Sequence, residues 1–120
     1  MLRILTVDDS VAMRLMVAAT LSSAGYEVVQ AGSAREALQI AADKPVDLVI
    51  TDVNMPQMDG IALVRELRGI AAYRSKPLLF LTTEASAGRK MEGRAAGANG
   101  WLMKPFNGER LIATIARFLR

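Results

Sequence analysis

The sequence predicts an α/β fold, a five-stranded parallel sheet with five helices on its two faces. Three observations carry this. Short apolar runs alternate with longer segments of 3.6-residue periodicity along the whole chain, the pattern of repeated βαβ units. The runs are too short for helices and rich in Val, Ile and Leu, as strands covered on both faces are. Polar residues able to do chemistry (Asp8 and Asp9, Asp52, Thr82, Lys104) stand at the ends of four runs. At 120 residues the chain is the size of one domain, which typically holds about 100 to 150 residues, so a single domain over 1–120 with no attached output domain is expected.

Each element has a local reason. The strands are expected at Arg3 to Val7, Glu27 to Ala31, Val46 to Thr51, Leu78 to Thr82 and Trp101 to Lys104. The first helix turns Met13, Met16, Val17, Leu21 and Ala24 to one face and meets Gly25, which accepts a left-handed cap. The second opens on the capping box of Ser33 and Glu36 and stops before Pro45. Asp59 and Gly60 introduce the third, with Ile61, Val64 and Leu67 inward and an end at Gly69. The fourth, near Ser86 to Ala96, is weak, since Gly88 and Gly93 each cost about 1 kcal/mol relative to Ala and only Met91 and Ala95 face inward. Asn107 caps the fifth, whose Leu111, Ile112, Ile115, Phe118 and Leu119 are spaced to lie on a sheet.

Composition removes whole classes of chemistry. With 52% hydrophobic and 22% charged residues the chain is globular rather than disordered. No Cys and no His occur, which excludes disulfides, thiolate nucleophiles, His-dependent triads and imidazole ligands, and leaves oxygen to hold any metal. No apolar run approaches the ~18 residues of a membrane span, and acids at Asp8 and Asp9 interrupt any signal peptide, so a cytoplasmic protein is expected. The net charge of +3 is spread over scattered Lys and Arg, without aromatic interleaving, which does not indicate nucleic-acid binding.

If the strands are parallel, their C-terminal ends share one edge, where open α/β sheets bind ligands. Asp8, Asp9, Asp52, Thr82 and Lys104 then converge. Three neighbouring carboxylates repel one another and call for a divalent cation; oxygen ligands with open water positions suit Mg²⁺. A carboxylate beside Mg²⁺ can attack phosphorus and form an acyl phosphate. Asp52, alone at its strand end, is the best nucleophile, while Asp8 and Asp9 divide the metal duty. Lys104 would neutralise a phosphoryl oxygen and the Thr82 hydroxyl would donate to another. Taken singly, each residue has a plainer role as helix cap, surface charge or β-former; their joint placement on one edge is what favours chemistry.

The motifs Val7-Asp8-Asp9-Ser10, Asp52 to Gly60 (D-V-N-M-P-Q-M-D-G), Leu81 to Ala85 (L-T-T-E-A) and Lys104-Pro105-Phe106 together resemble a response-regulator receiver domain, over essentially the whole chain. Met13-Arg14, the N-M-P-x-M-D-G run and Thr82-x-Glu84 are most similar to its chemotaxis members. The resemblance implies a flavodoxin-like receiver fold with strand order 2-1-3-4-5. It implies that Asp52 is the phosphoacceptor, that Asp8, Asp9, Asp52 and the Asn54 carbonyl hold Mg²⁺, and that Lys104 is the phosphate partner. Pro105 matches the family's cis proline, Thr82 the switch hydroxyl and Trp101 the aromatic switch. Asn54 and Glu84 match positions that tune dephosphorylation.

Three residues depart from the family pattern. Trp101 replaces the usual Tyr or Phe and is equally well read as simple packing. Thr83 replaces a small residue and would partly screen the phosphate, tuning dephosphorylation with Asn54 and Glu84 by slowing both formation and hydrolysis of the acyl phosphate. Val53 stands beside the acceptor as a loop-facing apolar residue.

The expected function is a stand-alone switch rather than an enzyme on other substrates. A histidine kinase donates phosphate to Asp52, and the altered surface of helix 4, strand 5 and helix 5 binds a target, with a phosphatase as a further candidate partner. That face carries Arg89, Lys90, Arg94, Arg110, Arg117 and Arg120 against Glu84, Glu92 and Glu109, which fits an acidic or amphipathic target segment. The chemotaxis-like motifs favour the flagellar motor switch as target over a phosphorelay intermediary or phosphate sink; the receiver of a larger regulator is a further alternative. A monomer is expected. A Mg²⁺-dependent aspartyl phosphohydrolase would carry D-x-D on its first strand, and an FMN carrier would need a Ser/Thr/Gly phosphate loop where Asp8-Asp9-Ser10 stands.

Overall fold

A computed structural model describes residues 1–120. In chain order the elements are β1 (Arg3–Val7), α1 (Val11–Ser23), β2 (Glu27–Ala31), α2 (Ala34–Asp43), β3 (Leu48–Thr51), α3 (Gly60–Arg68), β4 (Leu78–Thr82), α4 (Ala87–Ala96), β5 (Gly100–Met103) and α5 (Gly108–Phe118). A short 3-10 turn at Ala71–Tyr73, unforeseen from the sequence, joins α3 to β4. All strand pairs are parallel and the order is β2-β1-β3-β4-β5, as the resemblance implied. No helix is long and apolar enough to cross a membrane.

Strand side chains alternate between two cores, which is why the central strands are apolar throughout. Along β4, Leu78 and Phe80 enter the larger core under α2, α3 and α4, while Leu79 and Leu81 enter the core under α1 and α5. The helix starts are fixed by side-chain oxygens. Ser10, Ser33, Asp59, Ser86 and Asn107 each accept the backbone N–H three residues on. In the capping box, Glu36 returns its bond to the Gly32 N–H, one residue before the cap. Gly25, at φ 95°, takes the left-handed position after α1.

Several expectations are corrected. In α1 the buried residues are Val17, Ala18 and Leu21, whereas Met16 and Ala24 face solvent, because the stripe is narrower and centred one position later. In α4, Met91 is 73% exposed and Ala95 is also outside; Gly93 and Ala96 form the inward face. The reason is space, since a Cβ on Gly93 would lie 2.8 Å from Phe80 Cε2 and 2.9 Å from Trp101 Cζ3. Phe118 lies at the rim of the α5 packing, exposed.

Two strands have different ends. β3 begins at Leu48 rather than Val46, because the Val46 N–H is taken by the Tyr73 hydroxyl. β5 runs one residue earlier than expected and ends at Met103. Lys104 still donates its N–H to Thr82 O, but Pro105 has none to continue the ladder.

The Tyr73 hydroxyl also donates to Ala41 O at 2.8 Å. That helical carbonyl would ordinarily accept from residue 45, which is Pro45 and has no N–H. A buried tyrosine thus closes the α2 end that a proline leaves open.

Candidate functional site

The C-terminal edge of the sheet gathers the acids. Asp8 follows β1 and is 4% exposed; Asp52 follows β3 and is 8% exposed; Asp9 faces solvent. One carboxylate oxygen from each lies within 4.8 Å of the others. Lys104 reaches in from the far end of β5 and donates to Asp8 Oδ2 at 2.8 Å and to Asp52 Oδ2 at 3.0 Å. Burial alone would lower the pKa of this ammonium; its hydrogen bonds to Asp8 and Asp52 outweigh that and raise it above the usual lysine value.

Both oxygens of Asp52 are held, Oδ2 by Lys104 and Oδ1 by the Val53 N–H at 2.7 Å. Asp8 Oδ1 accepts from the Ser10 N–H. Nothing in the protein donates to the Asp9 carboxylate. Three carboxylates against one ammonium leave two negative charges, which one divalent cation neutralises. An all-oxygen donor set partly open to solvent, with one acid free of protein partners, fits Mg²⁺.

The Lys104–Pro105 peptide bond is cis, and Pro105 itself is exposed. Thr82, fully buried at the end of β4, accepts the Glu84 N–H on its hydroxyl oxygen at 3.1 Å and donates to no protein group. Its proton is free for a ligand. Glu84 is a junction, because its carboxylate accepts from Asn54 Nδ2 and from Ser86 Oγ and its carbonyl accepts from Trp101 Nε1 at 2.9 Å. Hydrogen bonds from Ser86 and Asn54 hold its carboxyl below the usual glutamate pKa. Asn54 and Thr83 are exposed. Trp101 is half-buried, packed at 5.0 Å between ring centroids against Phe80 and against Gly93.

The structure therefore brings Asp8, Asp9, Asp52 and Lys104 into one cluster, with Thr82 at the end of the neighbouring strand. It links Asn54 and Trp101 through Glu84. Val53 is not loop-facing as expected; it is fully buried in the larger core, so the residue beside the acceptor anchors it from beneath.

Three contributions were not read from the sequence. Gly60 lets α3 start against the Asp52 backbone, where a Cβ would fall 1.9 Å from the Asp52 carbonyl oxygen. Arg89 bridges from α4 to the α3 cap at Asp59 (3.0 Å). Arg14 Nη1 donates to Asp8 O at 2.7 Å. The D-G pair could have signalled the first; Arg89 carries no local signal because Asp59 lies 30 residues away, and Arg14 none because its partner is a main-chain carbonyl, which residue type does not mark.

Known proteins share this sequence pattern and this fold. The response regulator receiver domain family matches residues 4–116. Response regulator MprA of Mycolicibacterium vanbaalenii is 43% identical over 119 residues, covering 98% of this chain and 50% of that protein. The chain spans about half the length of the curated relatives it matches. Among solved structures, the chemotaxis protein CheY4 of Vibrio cholerae superposes with a TM-score of 0.96 at 50% identity, covering 99% of both chains. NtrX from Brucella abortus matches with a TM-score of 0.89 at 31% identity, covering 98% of this chain and 27% of that one.

Proposed function

Since the chain belongs to the response regulator receiver domain family, we propose that it is a phosphorylation switch that accepts a phosphoryl group on Asp52 from a histidine kinase and changes its affinity for a target. The observation that carries this is the Asp8, Asp9, Asp52 cluster with Lys104 bonded to two of its members. Asp8, Asp9, Asp52 and the Asn54 main-chain carbonyl would hold Mg²⁺. When bound, Mg²⁺ neutralises phosphoryl oxygens and lowers the cost of bringing an anion to a carboxylate.

The chain's own groups do the rest. A carboxylate oxygen of Asp52 forms the new P–O bond as the P–N bond to the donor imidazole breaks, and that imidazole, protonated on its other nitrogen, leaves neutral. Val53 N–H holds the carboxylate in place. Lys104 follows the charge from carboxylate to phosphoryl oxygen, and Thr82 donates its free proton to another. The protein acts on no substrate but its own phosphoryl group. A donor charged from ATP puts this exchange in the cytoplasm.

The output is a binding event in chemotaxis, with the flagellar motor switch as target; the 50% identity to the chemotaxis protein CheY4 across 99% of both chains supports the chemotaxis setting, and the chemotaxis-like motifs favour the motor switch over a phosphorelay or sink role. A second reading, the receiver of a longer regulator, is favoured by the doubled length of the curated relatives. Acetyl phosphate with Mg²⁺ should label the protein in an acid-stable, base-labile form, and Asp52→Asn should abolish the label. Equal labelling of Asp52→Asn would overturn the acceptor assignment. Binding of the beryllofluoride-loaded protein to a flagellar switch protein, absent without beryllofluoride, would support the chemotaxis reading, and equal binding in both states would refute it.

A further inference from the structure

Arg14 stands one turn into α1, half-buried, with its guanidinium facing back over the β1–α1 turn. Nη1 donates to the main-chain oxygen of Asp8 at 2.7 Å, and Nε donates to Gln30 Oε1 at 3.3 Å on β2. Gly32 leaves the room for this, since a Cβ there would stand 3.3 Å from Nη1. The guanidinium therefore ties the peptide between Asp8 and Asp9 to the neighbouring strand.

That peptide matters because the two acids are placed differently. The Asp8 carboxylate is fixed directly, by Ser10 N–H and Lys104. The Asp9 carboxylate has no protein donor and faces solvent, so its place is set by where the backbone puts its Cα and Cβ and by its own rotamer, with no side-chain bond to correct an error in the first. A peptide unit is planar, so holding the Asp8 carbonyl also holds the nitrogen and Cα of Asp9.

We propose that Arg14 is a positioning residue for the cation site, setting the Asp9 carboxylate opposite Asp8 and Asp52 through the Asp8 carbonyl; this rests on the Mg²⁺-dependent switch reading above. The sign of its effect separates position from charge. As a positive group near a cation site, Arg14 would weaken cation binding by repulsion alone, so removing its charge would tighten binding. As a positioning group it tightens binding, so its loss weakens it.

The test titrates Mg²⁺ alone into the full chain by calorimetry, and repeats acetyl phosphate labelling across Mg²⁺ concentrations. Arg14→Gln should raise the Mg²⁺ dissociation constant roughly tenfold, the lower end of what losing an outer-layer hydrogen bond to a metal site costs. The Mg²⁺ needed for half-maximal labelling should rise in parallel, while the labelling rate at saturating Mg²⁺ stays within about twofold, since the group acts on affinity. Arg14→Lys, which keeps the charge and loses the two-point fork, should also weaken binding. Gly32→Ala, which keeps Arg14 and crowds it, should shift affinity the same way by less, and carries the test if Arg14 variants do not fold. Unchanged or tighter Mg²⁺ binding in both Arg14→Gln and Gly32→Ala, with parental melting temperatures, would overturn the inference. Absence of Mg²⁺ binding in the parent, or parental affinity in Asp9→Asn, would instead overturn the metal-site reading beneath it.

Discussion

Two glycines in α4 look alike in the sequence and differ in the structure, and alanine should stabilise at one and fail to stabilise at the other. Both replacements gain helix propensity, about 1 kcal/mol in a helix interior and less for Gly88 in the first turn. A Cβ on Gly88 meets nothing within 4 Å, so Gly88→Ala should stabilise by up to ~1 kcal/mol, a rise in Tm of about 4 °C for a domain of this size. A Cβ on Gly93 would fall 2.8 Å from Phe80 Cε2 and 2.9 Å from Trp101 Cζ3, inside normal carbon contact distance. Overpacking of this kind costs about 1–3 kcal/mol, so Gly93→Ala should range from near neutral to ~2 kcal/mol destabilising. Phe80 is fully buried and cannot yield, whereas Trp101 is half-buried and can. The ring that moves is therefore the chain's only tryptophan, and its emission should change in Gly93→Ala and stay unchanged in Gly88→Ala. Urea denaturation followed by circular dichroism, with emission spectra of the folded proteins, reads both effects. Equal stabilisation by the two substitutions, with identical Trp101 spectra, would show that Gly93 is not a packing requirement.

Three further outcomes are expected. Tyr73→Phe should destabilise by about 1–3 kcal/mol, because it leaves the buried Val46 N–H and Ala41 carbonyl without their partner; a loss near zero in urea denaturation would refute that account. Thr83→Ala should speed both labelling by acetyl phosphate and loss of the label, by up to about tenfold, ~1.4 kcal/mol of barrier; unchanged rates would show that Thr83, exposed just past the end of β4, does not screen the phosphoryl group. Saturating beryllofluoride should alter Trp101 emission, and Thr82→Ala should diminish the change, whereas an unaltered spectrum with Asp52 demonstrably modified would disconnect Trp101 from the site.

How much of this was legible depends on how far apart the partners lie. The strands could be read because burial on both faces imposes unbroken apolar runs, and the acids and Lys104 because parallel strands bring their ends to one edge. Helix caps could be read because cap and partner are three residues apart. The inward face of α4 could not. Its dominant contact is an absence, the missing Cβ of Gly93 under Trp101, and hydrophobic periodicity counts Met91 and ignores a glycine. The first helix was misjudged at Met16 and Ala24 for a related reason, since apolar residues on a solvent face look no different in sequence from those on a core face. Arg14 and Tyr73 act on carbonyls, which every residue has, so their partners leave no trace in residue type.

The same economy of hydrogen bonds constrains how a signal could leave Asp52. Thr82 has one spare proton, and turning its hydroxyl toward a phosphoryl oxygen would strain or release the Glu84 N–H it now accepts. The Glu84 peptide and side chain cannot move alone. The carbonyl holds Trp101, and the carboxylate holds Asn54 from the β3–α3 loop and Ser86 at the α4 cap. A change of one hydrogen bond at Thr82 would therefore reach the indole, the acceptor loop and the helix start through a single residue. Trp101, seated against Phe80 and Gly93 with its N–H already bonded, need not swing in from solvent to take part. A shift in the Glu84 carbonyl would change its hydrogen bond and its packing on α4 at once. In this chain the larger ring and the smaller helix residue are two halves of one fit, and the exposed, basic surface of α4, with Lys90, Met91 and Arg94, is the part of the molecule that this fit positions.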